Sequence, residues 1–411
     1  MIDAPTPNAS DPVERDTPRT PEAFQSMSAV RYVGNPDGNA ALCVDQYMDG
    51  KTVLDTLPSI ITIPLTTYCN YRTPCLICDR NVRATTSDSE IGAEVIDAVT
   101  PLLKTAKTIY LHGGGEPMYS KHFVDVIDIV DEPYAISFAT NAMLLTKRRS
   151  DQFLEKGTIG TLMVSLDAAT PDVFRIMRPS GDFDTVIGNV SYLTRKRDSL
   201  GLGHPTIELV MIVCHNNLCE MPAFVDLAGR IGASRVTFGH LNSGLDFTLT
   251  TADQRRWDYK EQQKFGDPLY HDTMVMKAYE KAKTGGIAMT FVGPAFIGPG
   301  AFDVDSGILD DIYPPTNVTM TSRYHKPLGS GRPPCLKPWN EAVIQPDGQV
   351  RLCCYVDVNR WSLGNILESD FMEMWNSTAM VEERRHAFAR SFAKACFASQ
   401  PCYFRSAPGA R

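Results

Sequence analysis

The chain has 411 residues, 21% charged and 43% hydrophobic, an ordinary globular balance with room for two compact units. A formal net charge of −8 argues against a nucleic-acid partner or an anionic-membrane binder, and no apolar run reaches the length of a membrane span. The opening is polar, rich in Pro, Asp and Thr, and lacks the apolar core of a signal peptide. Residues 1–25 therefore read as a disordered leader, 26–58 as an N-terminal extension, and the protein as cytoplasmic.

From residue 59 to about 240, short apolar runs alternate with amphipathic stretches. Strands are expected at 59–68, 108–111, 135–139, 161–165, 207–213 and 235–239. Helices are expected at 90–103, with Ser87 or Ser89 as cap, and at 121–130, 147–156, 171–197 and 220–231. Such alternation implies a parallel sheet with right-handed crossovers, closed into an incomplete barrel or left open. In both architectures functional residues gather at the carboxyl ends of the strands. Residues 251–283 have a helical period, and 285–334 are rich in Gly, Pro and aromatics with no clear period. From residue 335 a second unit begins, with a hairpin at 341–345 and 349–355 around Pro346-Asp347-Gly348, then helices at 370–375 and 380–392.

The eleven cysteines are too many for a set of ordinary buried thiols, and their odd number in a cytoplasmic chain favours metal over disulfides. Cys69, Cys75 and Cys78 follow the first strand as Cys69-Asn-Tyr-Arg-Thr-Pro-Cys75-Leu-Ile-Cys78. Three thiolates at this spacing suit three corners of a cubane iron–sulfur cluster, leaving one iron open. Structural zinc normally asks for four ligands in two close pairs. Cys335, Cys353, Cys354, Cys396 and Cys402 form a second group, with four-cysteine zinc as the competing reading.

These motifs resemble the radical S-adenosylmethionine (SAM) superfamily, in particular its branch with a C-terminal SPASM or twitch extension. The resemblance implies an α/β fold: a partial (β/α)6 TIM-type barrel over 59–245, a helical linker and insertion over 246–334, and a small α+β iron–sulfur domain over 335–411. It implies that Cys69, Cys75 and Cys78 hold a [4Fe-4S] cluster whose open iron binds SAM. The five residues between Cys69 and Cys75, where most members have three, depart from the family pattern. His112-Gly-Gly-Gly-Glu116 resembles the family's GGE motif, which implies that Gly114, Gly115 and Glu116 hold the SAM amino group. Thr140-Asn141 resembles the TN pair. Ser165-Leu166-Asp167 resembles a ribose-binding position, and strand alternation would point Ser165 and Asp167 to one side. Arg178 resembles a position near the SAM carboxylate, and Asn216 is placed toward the adenine or ribose.

The tail resembles the auxiliary-cluster extension, which implies a second [4Fe-4S] cluster on Cys335, Cys353, Cys396 and Cys402. Cys353 fits the family spacing from Gly348. Adjacent Cys354 points to the opposite strand face and stays open between a buried apolar thiol and a hydrogen-atom donor. The family's chemistry is reductive cleavage of SAM to a 5′-deoxyadenosyl radical, fed by a one-electron reductant such as flavodoxin or ferredoxin. The expected substrate is a small polar, sugar- or aminocyclitol-like molecule that is oxidised or epimerised. Maturation of a ribosomal peptide is the alternative, disfavoured here because no peptide-recognition domain is evident before residue 59. A non-enzymatic iron–sulfur carrier or zinc-stabilised binding protein is the reading from another class.

Overall fold

Seven strands in chain order pair parallel with their neighbours: β1 (Ile60–Thr62), β2 (Thr108–Tyr110), β3 (Ile136–Thr140), β4 (Ile159–Ser165), β5 (Thr206–Val213), β6 (Arg235–His240) and β7 (Ala288–Val292). The computed structural model in which they are seen describes residues 35–78, 89–241, 259–292, 296–298, 335–353 and 361–388. The helices before and between these strands are α1 (Pro36–Met48), α2 (Ala93–Thr105), α3 (Phe123–Ile129), α4 (Lys147–Lys156), α5 (Pro171–Met177), α6 (Phe183–Ser199), α7 (Met221–Arg230), α8 (Tyr259–Gln262) and α9 (Pro268–Gly285). None among the described residues is long and apolar enough to cross a membrane.

Local chemistry sets many of the boundaries. Thr146, Thr170, Asp182 and Asp267 cap α4, α5, α6 and α9 through side-chain oxygens that accept backbone N–H bonds. Gly157 and Gly286 end α4 and α9 in the left-handed conformation, at φ 69° and 64°. α2 departs from expectation. Gly92 occupies its cap without a side-chain bond, and Ser89 instead shares three hydrogen bonds with Thr67, while Ser87 lies outside the described residues.

Alternation along the strands separates two faces. In β5, Ile207, Leu209, Met211 and Val213 are fully buried, while Glu208, Val210 and Ile212 are half-buried. The buried face packs on helices: Phe224 of α7 meets Phe238 of β6 at 5.8 Å, and Phe153 of α4 meets Phe138 of β3 at 6.1 Å. Each such side chain contributes about 1.5–3 kcal/mol on burial. The other face is the concave side of the partial barrel.

The expected six strands become seven. β7 lies in glycine-rich text, and its central residues Met289, Thr290 and Phe291 are all buried, which erases the alternating signal. The C-terminal unit comprises α10 (Lys337–Asn340), β8 (Glu341–Ile344), β9 (Gln349–Arg351), β10 (Gly364–Asn365), α11 (Phe371–Trp375) and α12 (Thr378–Phe388). β8 pairs parallel with β1, in the register Ile61 to Ala342, so the hairpin extends the barrel sheet. The result is one ten-stranded mixed sheet, ordered β10-β9-β8-β1-β2-β3-β4-β5-β6-β7.

Candidate cluster and cofactor site at the strand ends

The loop after β1 carries Cys69, Cys75 and Cys78, none of them in a disulfide. Its extra length is docked. The Thr73 amide donates to Ser180 Oγ at 2.8 Å, and the Leu76 amide donates to the Met177 carbonyl at 3.1 Å. Tyr71 is buried, and its hydroxyl would lie 2.7 Å from a Cβ built on Gly181. Residues 70–76 therefore lean on the α5–α6 corner, and the five-residue spacing has a seat of its own. Cys78 N donates to Cys75 O at 3.0 Å, closing a tight turn between the last two cysteines.

The strand-two turn approaches this loop closely. Glu116 N donates to Tyr68 O at 2.8 Å, and a Cβ on Gly115 would stand 2.2 Å from the same oxygen. No other residue fits there. None of Gly113, Gly114 and Gly115 takes a positive φ, so close approach rather than turn conformation requires glycine. Glu116 is buried and its carboxylate is committed to the protein. It accepts from Thr140 Oγ1 at 2.8 Å, the Asn141 amide at 2.7 Å and the Met118 amide at 3.2 Å. Burial pushes its pKa up while those donors pull it down, with a net rise. The side chain thereby ties the end of β2 to the end of β3. Asn141 reaches on from there: its Nδ2 donates to Asn70 Oδ1 at 2.7 Å and lies 3.7 Å from Cys69 Sγ.

The exit of β4 departs from the alternation argument. β4 ends at Ser165, and Asp167 lies beyond it at φ 61°, so strand alternation does not extend to Asp167. Asp167 is buried, accepts the Ile212 amide at 2.8 Å, and takes Nη2 of Arg178 at 2.5 Å. Both carboxylate oxygens are engaged by the protein. Asn217, which the sequence did not single out, supports this turn by donating from Nδ2 to the Asp167 and Ile212 carbonyls, both at 2.9 Å. The Ser165 hydroxyl is half-buried and makes no hydrogen bond among the described residues, which leaves it available to a ligand hydroxyl.

Arg178 is buried and its Nη1 lies 3.4 Å from Cys75 Sγ. Burial alone would lower its pKa, but Asp167 and Cys75 hold it above the usual value. Burial pushes the Cys75 thiol up, against the pull of Arg178. Asn216 is gripped by Gln262, another residue without a sequence signal. The Asn216 amide donates to Gln262 Oε1 at 3.0 Å, and Gln262 Nε2 returns to Asn216 Oδ1 at 3.1 Å. His112 is half-buried with its Nδ1 unpartnered among the described residues, and burial holds its pKa down.

The donor set suits an anionic cluster: three thiols on one loop, a side-chain N–H directed at Cys69 and another at Cys75, and a buried guanidinium whose Nε has no partner among the described residues. Among the described residues no three Cys, His, Asp or Glu side chains converge as a single ion requires. A cubane makes no such demand, since its thiolates sit on separate irons. Of the second cysteine group, Cys335 is half-buried and Cys353 buried, at the exit of β9; Cys354, Cys396 and Cys402 lie outside the described residues.

A parallel partial barrel with a three-cysteine loop after its first strand defines a radical SAM enzyme, and the chain belongs to the radical SAM superfamily, with a C-terminal SPASM domain. Residues 63–228 match the radical SAM superfamily, and residues 335–403 match the SPASM iron–sulfur cluster-binding domain. Membership carries binding of an iron–sulfur cluster and of SAM. The chain is similar to the mycofactocin maturase MftC of Mycobacterium tuberculosis, 24% identical over 332 residues, which cover 80% of this chain and 73% of that protein. Its fold is similar to that of Streptococcus suis SuiB bound to the precursor peptide SuiA, with a TM-score of 0.53, 15% identity, and coverage of 91% of this chain and 78% of that one. It is also similar to native anSMEcpe with bound AdoMet, with a TM-score of 0.51, 16% identity, and coverage of 79% of this chain and 81% of that one.

These relatives correct the expectation of a sugar- or aminocyclitol-like substrate: MftC is a maturase, and SuiB is seen with a precursor peptide. Substrate class had no local signal in the sequence. Surfaces that meet a substrate are assembled from several strand ends and leave no contiguous motif.

Proposed function

We propose that this chain is a radical SAM maturase that modifies a ribosomal peptide. The observation that carries the reading is the similarity to MftC over 80% of the chain. That similarity outweighs the sequence-based expectation of a small polar substrate.

In this reading Cys69, Cys75 and Cys78 hold the [4Fe-4S] cluster that binds SAM. Cys335, Cys353, Cys396 and Cys402 hold an auxiliary [4Fe-4S] cluster, and flavodoxin or ferredoxin is the reductant. Held there, the first cluster and SAM would supply hydrogen-atom abstraction chemistry toward the peptide. The chain itself orients and shields. Gly114 and Gly115 offer backbone to the methionine end of SAM, and Glu116 holds that turn against β3 through Thr140 and Asn141. Ser165 offers its hydroxyl to the ribose, Asp167 holds Arg178 beside the cysteine loop, and Asn216 is aimed by Gln262. The concave face, with Tyr110, Ser137, Met163 and Val210 half-buried along it, receives the peptide side chain and limits water around it.

The test uses the anaerobically reconstituted full chain with SAM, dithionite and synthetic peptides read from short open reading frames flanking its gene. Formation of 5′-deoxyadenosine together with a mass change in the peptide supports the reading. 5′-Deoxyadenosine without any change in the peptide overturns it while leaving the superfamily assignment in place.

A further inference from the structure

We infer that Arg178 sets the reduction potential of the first iron–sulfur cluster through its contact with Cys75, opposed by Asp167 on its second terminal nitrogen. The inference rests on the assignment of Cys69, Cys75 and Cys78 as cluster ligands.

Three elements meet at one guanidinium. Arg178 closes α5, with its amide bonded to the Phe174 carbonyl at 2.7 Å and its carbonyl accepting from the Gly181 amide at 2.9 Å. Its Nη1 faces Cys75 Sγ at 3.4 Å and its Nη2 faces Asp167 Oδ2 at 2.5 Å. The side chains of Arg178 and Asp167 are only 8% and 1% exposed, so solvent screens them little. The Asp167 backbone is held at φ 61°, in the left-handed region that Asp tolerates better than most residues, and Asn217 clamps its carbonyl.

A cluster gains one negative charge when it takes an electron. A fixed cation and an N–H directed at a ligand sulfur stabilise that added charge and raise the potential. Arginine keeps its charge at any working pH, so its influence is constant. Asp167 takes the other terminal nitrogen, Nη2, and offsets part of the field at Cys75. Cys75 is therefore polarised by a charge pair whose positive member is the nearer. Because Cys75 and Asp167 already engage the two terminal nitrogens of Arg178, this contact forms without SAM.

The experiment is an EPR-monitored redox titration of the anaerobically reconstituted full chain without SAM. The first-cluster signal is taken as the part lost in Cys69→Ala. Arg178→Gln is expected to shift the midpoint to more negative potential, Arg178→Lys to shift it less, and Asp167→Asn to shift it in the positive direction. An unmoved midpoint in Arg178→Gln with the cluster in place overturns the inference. A shift that emerges only after SAM is added also overturns it, because Arg178 would then act on the SAM carboxylate. If Arg178→Gln fails to hold the cluster, Asp167→Asn decides alone: a positive shift supports the inference and no shift overturns it. A signal that survives Cys69→Ala intact overturns the ligand assignment itself, a separate failure.

Discussion

Leu54, just ahead of β1, and Asn376, just after α11, exchange two hydrogen bonds across 322 residues of chain: the Leu54 amide donates to Asn376 Oδ1 at 2.8 Å, and Asn376 Nδ2 donates to the Leu54 carbonyl at 2.9 Å. Arg384 of α12 reinforces the join. Its Nη1 donates to the Thr52 carbonyl at 2.8 Å, its Nε donates to the Pro338 carbonyl at 2.9 Å, and it lies 4.7 Å over the Trp375 ring. Trp339 adds a bond from its indole N–H to the Lys51 carbonyl at 2.8 Å. The SPASM unit is thus sutured to the barrel by side chains as well as by the β1–β8 pairing. Arg384→Met strips donors from the buried Pro338 carbonyl and the half-buried Thr52 carbonyl and is expected to cost about 3 kcal/mol, and Asn376→Ala about 2 kcal/mol. Urea denaturation of the reconstituted protein measures both.

Glu116 makes a different prediction. Its carboxylate serves three donors in a site where burial has raised its pKa. Glu116→Gln keeps the shape but turns an amide NH2 toward one donor, and is expected to cost about 1 kcal/mol. Glu116→Ala leaves the donors buried and unpaired, at about 3 kcal/mol. Thermal melts in the absence of SAM separate this bracing role from any loss of SAM affinity, which equilibrium binding would report.

Removing a cluster ligand tests the chemistry directly. Cys69→Ala, Cys75→Ala or Cys78→Ala is expected to lower bound iron and to abolish 5′-deoxyadenosine formation. Iron retained by the C-terminal cysteines in these variants would count the auxiliary cluster, read by iron analysis and absorbance.

The acid limb of stability should depend on His240. Its Nε2 lies 3.0 Å from Nε2 of His271, whose Nδ1 meets Asp272 Oδ1 at 2.8 Å, and Phe265 and Phe291 flank the ring. Burial and the neighbouring His271, opposed by Asp272, push the His240 pKa down to about 4. A base depressed in the folded state contributes stability above its unfolded pKa of about 6.5 and loses it as pH falls toward 4. The loss is at most about 3 kcal/mol over that window. His240→Asn is expected to flatten the fall in stability between pH 6.5 and pH 4, measured by urea unfolding at a series of pH values.

Tyr71→Phe removes a buried hydroxyl that has no partner among the described residues. Its stability is expected to be unchanged or to rise by about 1 kcal/mol. A large loss on denaturation would show that the hydroxyl bonds something the protein holds.

The motifs readable in the sequence are those whose chemistry is local. Three cysteines within ten residues, a glycine run at a strand exit and a polar pair ending a strand each follow from neighbouring positions, and their order along the barrel marks the superfamily. The helix at 147–156 was readable, with Thr146 capping it from the adjacent position, whereas the start of α9 after Asp267 was hidden inside the helical period of 251–283 and the cap of α2 fell at Gly92, where no side chain caps. The partners of those motifs were not readable. Asp167 could be named from its strand, but its pairing with Arg178 depends on a positive φ that no periodicity predicts.

What the amino-acid sequence determined by itself is the alternating strand–helix order and the cysteine loop, because backbone preference and hydrophobic periodicity act between near neighbours. Tertiary structure alone decided that β7 joins the barrel, that β8 extends its sheet at β1, and that Arg178 stands between Asp167 and Cys75, 11 and 103 residues away along the chain. Those contacts hold because burial strengthens charge and hydrogen bonding only once distant segments have excluded water together.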